Sequence, residues 1–229
     1  AAIPMARLVA ESLRHGLRGF EWAIGVPGTV GGSVRGNAGC FGGEMKDVVE
    51  TVEVFDAAAD RETILTNKDF AFNYRDSILK RRPELVVIAA TLRLRPGNAK
   101  EGEELVREYT RHRVETQDIG SQSAGCIFKN VSWNRRGIQA EKLLTRFPEL
   151  AAFRNSPAIP GGFLIDRVGL RGRRIGGARI SERHGNFIIN SGGATAEEVV
   201  MLIGVAKGYV HRRYGLILEE EIQYVGFDH

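Results

Sequence analysis

The stretch Ser123-Ala124-Gly125-Cys126-Ile127-Phe128-Lys129-Asn130 brings a hydroxyl, a thiol, an ammonium and an amide close together. In an extended chain Cys126, Phe128 and Asn130 share a face, by the strand period of two. A thiol with an ordinary pKa of about 8.5 is mostly protonated at neutral pH. It can hand a proton to a carbanion or, as thiolate, act as a nucleophile. The competing reading of Cys126 is a buried small hydrophobe. Leu218-Glu219-Glu220-Glu221-Ile222 is a second candidate. Strand alternation sends Glu219 and Glu221 to one face and Glu220 to the other. Crowded carboxylates raise one another's pKa, which suits acid catalysis; a charged, solvated edge strand fits the same residues.

Asn73-Tyr74-Arg75-Asp76-Ser77 offers an arginine fork, suited to carboxylate or phosphate, beside an aromatic ring. The plainer alternative is an exposed turn with a local ion pair. Gly25-Val26-Pro27-Gly28-Thr29-Val30-Gly31-Gly32, running on to Asn37-Ala38-Gly39, lets backbone N–H groups approach phosphate oxygens. It is neither a Walker A loop nor a dinucleotide fingerprint. It is too rich in glycine for a regular strand or a stable helix. Tight surface turns explain it equally. His184 has no second ligand at metal spacing, so no metal site is expected.

Regular elements must position these groups. Met5, Leu8, Val9 and Leu13 predict a helix over 5–15. Strands are expected over 48–56, 61–66 and 85–95, followed by a surface linker at 98–100 and a charged helix over 101–113. Residues 138–147 and 163–168 read as short helices, and Ile180 and 187–189 as short strands. The strongest helix runs 196–214, opened by a Thr195/Glu198 capping box and closed by Gly215. Residues 216–225 read as a final strand. The elements lack a strict βαβ rhythm, which gives an α+β class.

The chain has 229 residues, 43% hydrophobic and 26% charged, enough for one large domain or two modest ones. Two cysteines do not make a disulfide scaffold, so a reduced cytoplasmic compartment is expected. No apolar run is long enough for a membrane helix. The net charge of +4 comes from 32 basic against 28 acidic residues. They are interleaved along the chain, apart from Arg171, Arg173 and Arg174, which argues against a nucleic-acid-binding module.

In order and spacing these segments resemble the MurB family of UDP-N-acetylenolpyruvoylglucosamine reductases. The shared stretches are Gly25 to Gly32 with Asn37-Ala38-Gly39, then Tyr74-Arg75-Asp76-Ser77, Ala124 to Asn130, Gly176-Gly177-Ala178 with Ser181 to Phe187, and Leu218 to Ile222. The resemblance covers Gly19 to Gly226. It implies the greater part of a longer reading frame: the remainder of a vanillyl-alcohol-oxidase-like (PCMH-type) FAD-binding domain over 1–98, then a substrate-binding α+β domain over 99–229. The family's N-terminal lobe, which supplies much of the flavin site, is expected to be absent.

The implied chemistry is NADPH-driven, FAD-dependent reduction of the enolpyruvyl ether of a UDP-sugar, in peptidoglycan precursor synthesis. Cofactor contacts are expected from Gly25, Val26, Pro27, Gly28, Thr29, Gly31, Gly32, Asn37, Ala38 and Gly39. Arg75 would steady the substrate carboxylate, with Glu221 beside it as a protonated donor. Cys126 falls where many members have serine and would protonate the substrate carbon. Tyr74, Lys129, Asn130 and His184 would face the UDP-sugar. A small-molecule substrate, a monomer, no nucleic acid and no membrane are the implied partners. In the family a proline often follows Lys-Asn; here Val131 follows, then a long stretch to Gly161. The alternative is another FAD oxidoreductase of the same fold with a different substrate.

Overall fold

Met5, Val9 and Leu13 line the buried side of α1 (Met5–Arg14) in a computed structural model that describes residues 1–227. The chain divides into two compact units, 1–115 and from Thr116 onward, each with its own core. The second expected domain ends in two residues that lie outside the described ones.

The first unit continues through β1 (Leu17–Arg18), α2 (Val30–Gly36), β2 (Gly39–Cys40), β3 (Gly43–Glu44) and α3 (Met45–Val48). Then come β4 (Val49–Asp56), β5 (Arg61–Thr66), β6 (Leu85–Leu92), β7 (Arg95–Pro96) and α4 (Ala99–Thr116). Its main sheet is antiparallel in the order β5-β4-β6. Val52 and Val54 alternate inward along β4, both fully buried with Phe70, Met45 and Met5. Hairpin β2–β3 and pair β1–β7 complete the unit.

The expected linker at 98–100 is a correction: Ala99 and Lys100 already belong to α4, so the units divide later than 98/99. Contacts explain this. Arg18 Nη1 donates to Asn98 O and to Glu101 Oε2, both at 3.1 Å. At Gly102 the Leu13 Cδ2 methyl occupies the space where a Cβ would stand, so a larger residue there would have to displace the Leu13 side chain. Tyr109 stacks on Phe41 with ring centroids 4.0 Å apart. Glu21, almost fully buried, pairs with Arg18. Burial opposes its ionisation, but backbone N–H groups and the guanidinium outweigh it and hold the carboxyl below its ordinary pKa.

A second correction concerns the glycine-rich stretch, which does contain a helix. In α2 Thr29 caps the N-terminus by accepting from Gly32 N–H at 3.4 Å, and Asn37 closes it in the left-handed region. Val30 and Val34 sit in the core. Their burial outweighs the poor propensity of Gly31, Gly32 and Gly36, since packing decides most short helices. Thr29→Ala is expected to cost about 1 kcal/mol in denaturant unfolding; an unchanged midpoint would show that the cap does not stabilise α2.

The second unit holds β8 (Ser123–Cys126), β9 (Val131–Ser132), α5 (Ala140–Arg146), β10 (Ala158–Ile159) and α6 (Gly161–Arg167). It ends with β11 (Arg174–Ile175), β12 (Ala178–Ile180), β13 (Phe187–Asn190) and α7 (Ala196–Tyr214). The antiparallel sheet runs β11-β12-β13-β8, and β9 pairs with β10. Both bonds of the Thr195/Glu198 capping box are present, and Gly215 ends α7 at φ 70°. Leu202, Ile203, Ala206 and Val210 bury one stripe of α7. Each unit mixes helices with antiparallel sheet, the expected α+β class.

The expected strand over 216–225 is a third correction. Leu216 and Leu218 do turn inward, yet the segment forms only an isolated antiparallel bridge, Phe128 with Glu220. The partner backbone there, just beyond β8, is too irregular to carry a ladder.

Candidate functional site

Gly125 has φ +77°, a left-handed value that costs glycine little. It ends the regular alternation of β8, and Ile127 and Phe128 are then both buried, at 1% and 2% exposure. Cys126, Phe128 and Asn130 therefore do not share a face as a simple strand would have it. The backbone beyond Cys126 is held from two sides. Phe187 stands opposite Cys126 in the sheet. The side chain of Asn186, itself buried, accepts from Phe128 N–H at 2.9 Å and donates to Phe128 O at 2.7 Å, while its backbone carbonyl accepts from Ile127 N–H at 2.8 Å. One amide thus satisfies the backbone of Phe128 just past the end of the β8–β13 pairing.

On the other side the acidic segment docks. Lys129 N–H donates to Glu219 O at 2.8 Å and Glu221 N–H to Ile127 O at 2.7 Å. This fixes Glu221 across from the residue next to Cys126. Glu219 and Glu220 do not crowd one another. Glu219 meets Arg135 at 2.7 Å and Lys129 at 4.0 Å, whereas Glu220 meets Lys207 at 2.9 Å. The two neighbours point to different cations, as alternation requires. Asn130 Oδ1 accepts from Gly161 N–H at 3.2 Å, at the start of α6.

His184 packs edge-on against Phe187, and Gly162 lies against its ring. Its Nδ1 accepts from Asn186 N–H at 3.2 Å, which puts the proton of the neutral ring on Nε2. Burial pushes the imidazole below its ordinary 6.5, against the opposing pull of Asp166. Below pH 6.5 the unfolded chain then binds the proton more readily than the folded one, so stability rises with pH through this range. The wild type should lose stability as pH falls below 6.5, and His184→Gln should flatten that slope. Equal slopes in urea titrations at several pH values would show that His184 does not set it.

In the first unit Asn73 and Asp76 close a tight turn through two mutual backbone bonds of 3.0 and 3.1 Å. Arg75 at its tip has φ 55°, unfavourable for a residue with a Cβ and of order 1–3 kcal/mol. Such strain persists only where surroundings enforce it. Arg75 Nη2 donates to Gly39 O at 2.6 Å and Nη1 to Asn37 O at 3.5 Å. Lys80 Nζ donates to Arg75 O at 2.6 Å, and the guanidinium lies over the Tyr74 ring. Asp76 pairs with Arg81. Asn37, fully buried, donates to Glu44 Oε2 at 2.6 Å and Asn73 O at 2.9 Å, and accepts from Lys46 N–H at 3.0 Å. The structure thus joins Arg75, Asn37 and Gly39, far apart in sequence.

The glycine-rich stretch fits a bulky cofactor along part of its length. Residues 27–29 are exposed, Gly25 and Gly28 have positive φ, and open space faces Gly28 where a Cβ would point. The start of α2 is committed elsewhere. Val30 N–H donates to Ile3 O and Gly31 N–H to Ala1 O, both at 3.0 Å. A phosphate cradle made by the α2 N-terminus is therefore not what the fold builds; the loop before it is the accessible part.

Sequence reasoning missed Asn186 as a positioning group. Its signal lay in plain view, an asparagine one residue before a predicted strand, but side-chain mimicry of a strand has no periodicity. Among the described residues no group of three or more His, Cys, Asp or Glu is placed to hold a metal, and no helix is long and apolar enough to cross a membrane.

The profile of the UDP-N-acetylenolpyruvoylglucosamine reductase C-terminal domain matches residues 117–225, the second unit almost to its ends. The chain is 38% identical to the UDP-N-acetylenolpyruvoylglucosamine reductases of Synechococcus sp. and of Caldanaerobacter subterraneus, with 99% of the chain and 66% of each relative covered. It thus spans just under two thirds of their length. The crystal structure of UDP-N-acetylenolpyruvylglucosamine reductase (MurB) from Thermus caldophilus superposes with a TM-score of 0.73 at 34% identity, over 96% of this chain and 69% of that one.

Proposed function

Since the chain belongs to the UDP-N-acetylenolpyruvoylglucosamine reductase family, we propose that the full-length protein is an NADPH- and FAD-dependent reductase of the enolpyruvyl ether of UDP-N-acetylglucosamine, acting as a cytoplasmic monomer. The observation that carries this reading is the docking of Glu221 N–H on Ile127 O, which sets the acidic segment against the backbone that follows Cys126. That backbone juxtaposition supports a shared role for the two residues at one substrate.

Gly25, Val26, Pro27, Gly28 and Thr29 would line the cofactor from the exposed loop, while the carbonyls of Asn37 and Gly39 hold Arg75. FAD, when bound, would supply the hydride chemistry that takes electrons from NADPH to the enol ether, and carbanion character would then develop beside the substrate carboxylate. Arg75 offers a fixed cation to that carboxylate. Its left-handed backbone and its bond to Gly39 O hold the fork in place before substrate arrives. Glu221 acts with it on the developing charge. Cys126 breaks its S–H bond and gives the proton to the carbon bearing that charge, forming a C–H bond. Tyr74, Lys129, Asn130 and His184 serve the UDP-sugar, His184 as a neutral ring donating from Nε2.

The test uses the full-length protein. A visible flavin band, with NADPH oxidised only when the enolpyruvyl UDP-sugar is present, is the expected result. Flavin-loaded protein that oxidises NADPH without regard to that sugar would replace this substrate by another, and protein that takes up no FAD would remove the flavin chemistry.

A further inference from the structure

The long stretch between Asn130 and Gly161, where the sequence departs from the family's pattern, builds a feature the reductase reading does not use. Residues 131–147 and 214–217 enclose a cleft of about 440 Å³, within the size range of small-molecule sites. Arg135, Arg136, Lys142 and Arg146 line it, and no carboxylate does. Lys142 and Arg146 stand one turn apart on α5, a like-charge pair that weakens an isolated helix. Among the described residues no ion pair engages Arg136, Lys142 or Arg146. Their guanidinium and ammonium groups are solvated and face a common concavity. Ile138 and Phe147 provide an apolar wall, with Arg146 over the Phe147 ring.

Arg136, Lys142 and Arg146 around one concavity repel one another until an anion enters, whereas Arg135 is already paired with Glu219. A plain solvated face would intersperse acids, as the rest of this chain does. We propose that this cleft binds a small phosphorylated ligand carrying at least two negative charges, with an apolar or aromatic body against Ile138 and Phe147. Charge-assisted bonds from two guanidinium groups and one ammonium hold the phosphates. Arg135 connects the cleft to the acidic segment. It donates to Ile217 O at 2.7 Å and pairs with Glu219 at 2.7 Å. A phosphate that draws Arg135 away from Glu219 would loosen the segment bearing Glu221, so occupancy is expected to alter the activity of that site. Binding itself does not depend on the reductase assignment.

Calorimetric titration of the full-length protein with inorganic pyrophosphate and with ADP, in phosphate-free buffer, tests this. One pyrophosphate per chain is expected, with ADP binding more tightly because its ring covers the apolar wall, and both weakening as salt rises. Arg136→Glu/Lys142→Glu/Arg146→Glu should weaken both ligands by roughly tenfold or more, since each lost contact is charge-assisted. Arg136→Gln alone should give a smaller loss in the same direction. Lys129→Ala, at the proposed UDP-sugar site, should leave both affinities unchanged. Affinity that survives the charge reversal, or that vanishes in Lys129→Ala instead, would overturn the assignment, as would no binding of either ligand to the wild type.

Discussion

Cys126→Ala is expected to lower turnover of the full-length protein on the enolpyruvyl UDP-sugar by about 10²–10⁴-fold, the usual contribution of a positioned proton donor, and to leave reduction of the flavin by NADPH at its wild-type rate. The separation follows from where the thiol sits. Cys126 lies in β8, opposite Phe187, and the adjoining backbone is fixed by both Asn186 and the acidic segment. Alanine keeps that backbone and removes only the S–H group. Protonation of the substrate carbon would then fall to water, with no group preorganised for it. Cys126→Ser should recover most of the rate, because a hydroxyl at the same atom can still donate. Stopped-flow traces of the two half-reactions separate the outcomes. Wild-type rates in both would make Cys126 a packing residue; slowing of both would point to a general distortion of the site.

Asn186→Ala is expected to destabilise the second unit by about 3 kcal/mol in urea unfolding. The mutation strands two backbone groups of Phe128, its N–H and its C=O, each losing a short bond at a residue only 2% exposed. An unsatisfied buried polar group costs about 1–3 kcal/mol. Gly161 packs against the same amide and against the Phe128 Cβ, so the lost volume also opens a gap beside α6. Asn186→Asp is an informative companion. Its Oδ1 still accepts from Phe128 N–H, but its second oxygen faces Phe128 O, so repulsion replaces a bond. Both variants should also lower turnover, because Cys126, Lys129 and the docking of Glu221 all depend on this backbone. A urea midpoint equal to wild type in Asn186→Ala would mean that the amide pairing is dispensable.

Local features of the sequence set much of the fold. Met5, Val9 and Leu13 determined α1 by their spacing, and Thr195 with Glu198 and Gly215 determined both ends of α7. The alternation of Val52 and Val54 determined β4 and its partner strands. These signals are short-range: a cap, a turn, a hydrophobic period. The order of five motifs also carried the family, which the relatives bear out.

Tertiary structure decided what depends on partners distant in sequence. Gly31 and Gly32 argue against a helix, yet α2 forms because Val30 and Val34 find a core to enter. Leu216 and Leu218 alternate like a strand, yet 216–225 forms a single bridge because Gly125, within β8, breaks the regular alternation before the backbone reaches Phe128. Asn98 looked like a linker until Arg18 and Leu13 held α4 to the first unit. Within the site, Arg75 reaches Gly39 and Asn37, and Asn186 reaches Phe128, across 36 to 58 positions of sequence. Residue type gives each of these side chains its donors and acceptors. Only the packed chain brings the complementary groups to between 2.6 and 3.5 Å, because the cost of closing such loops is met by cores no local window contains.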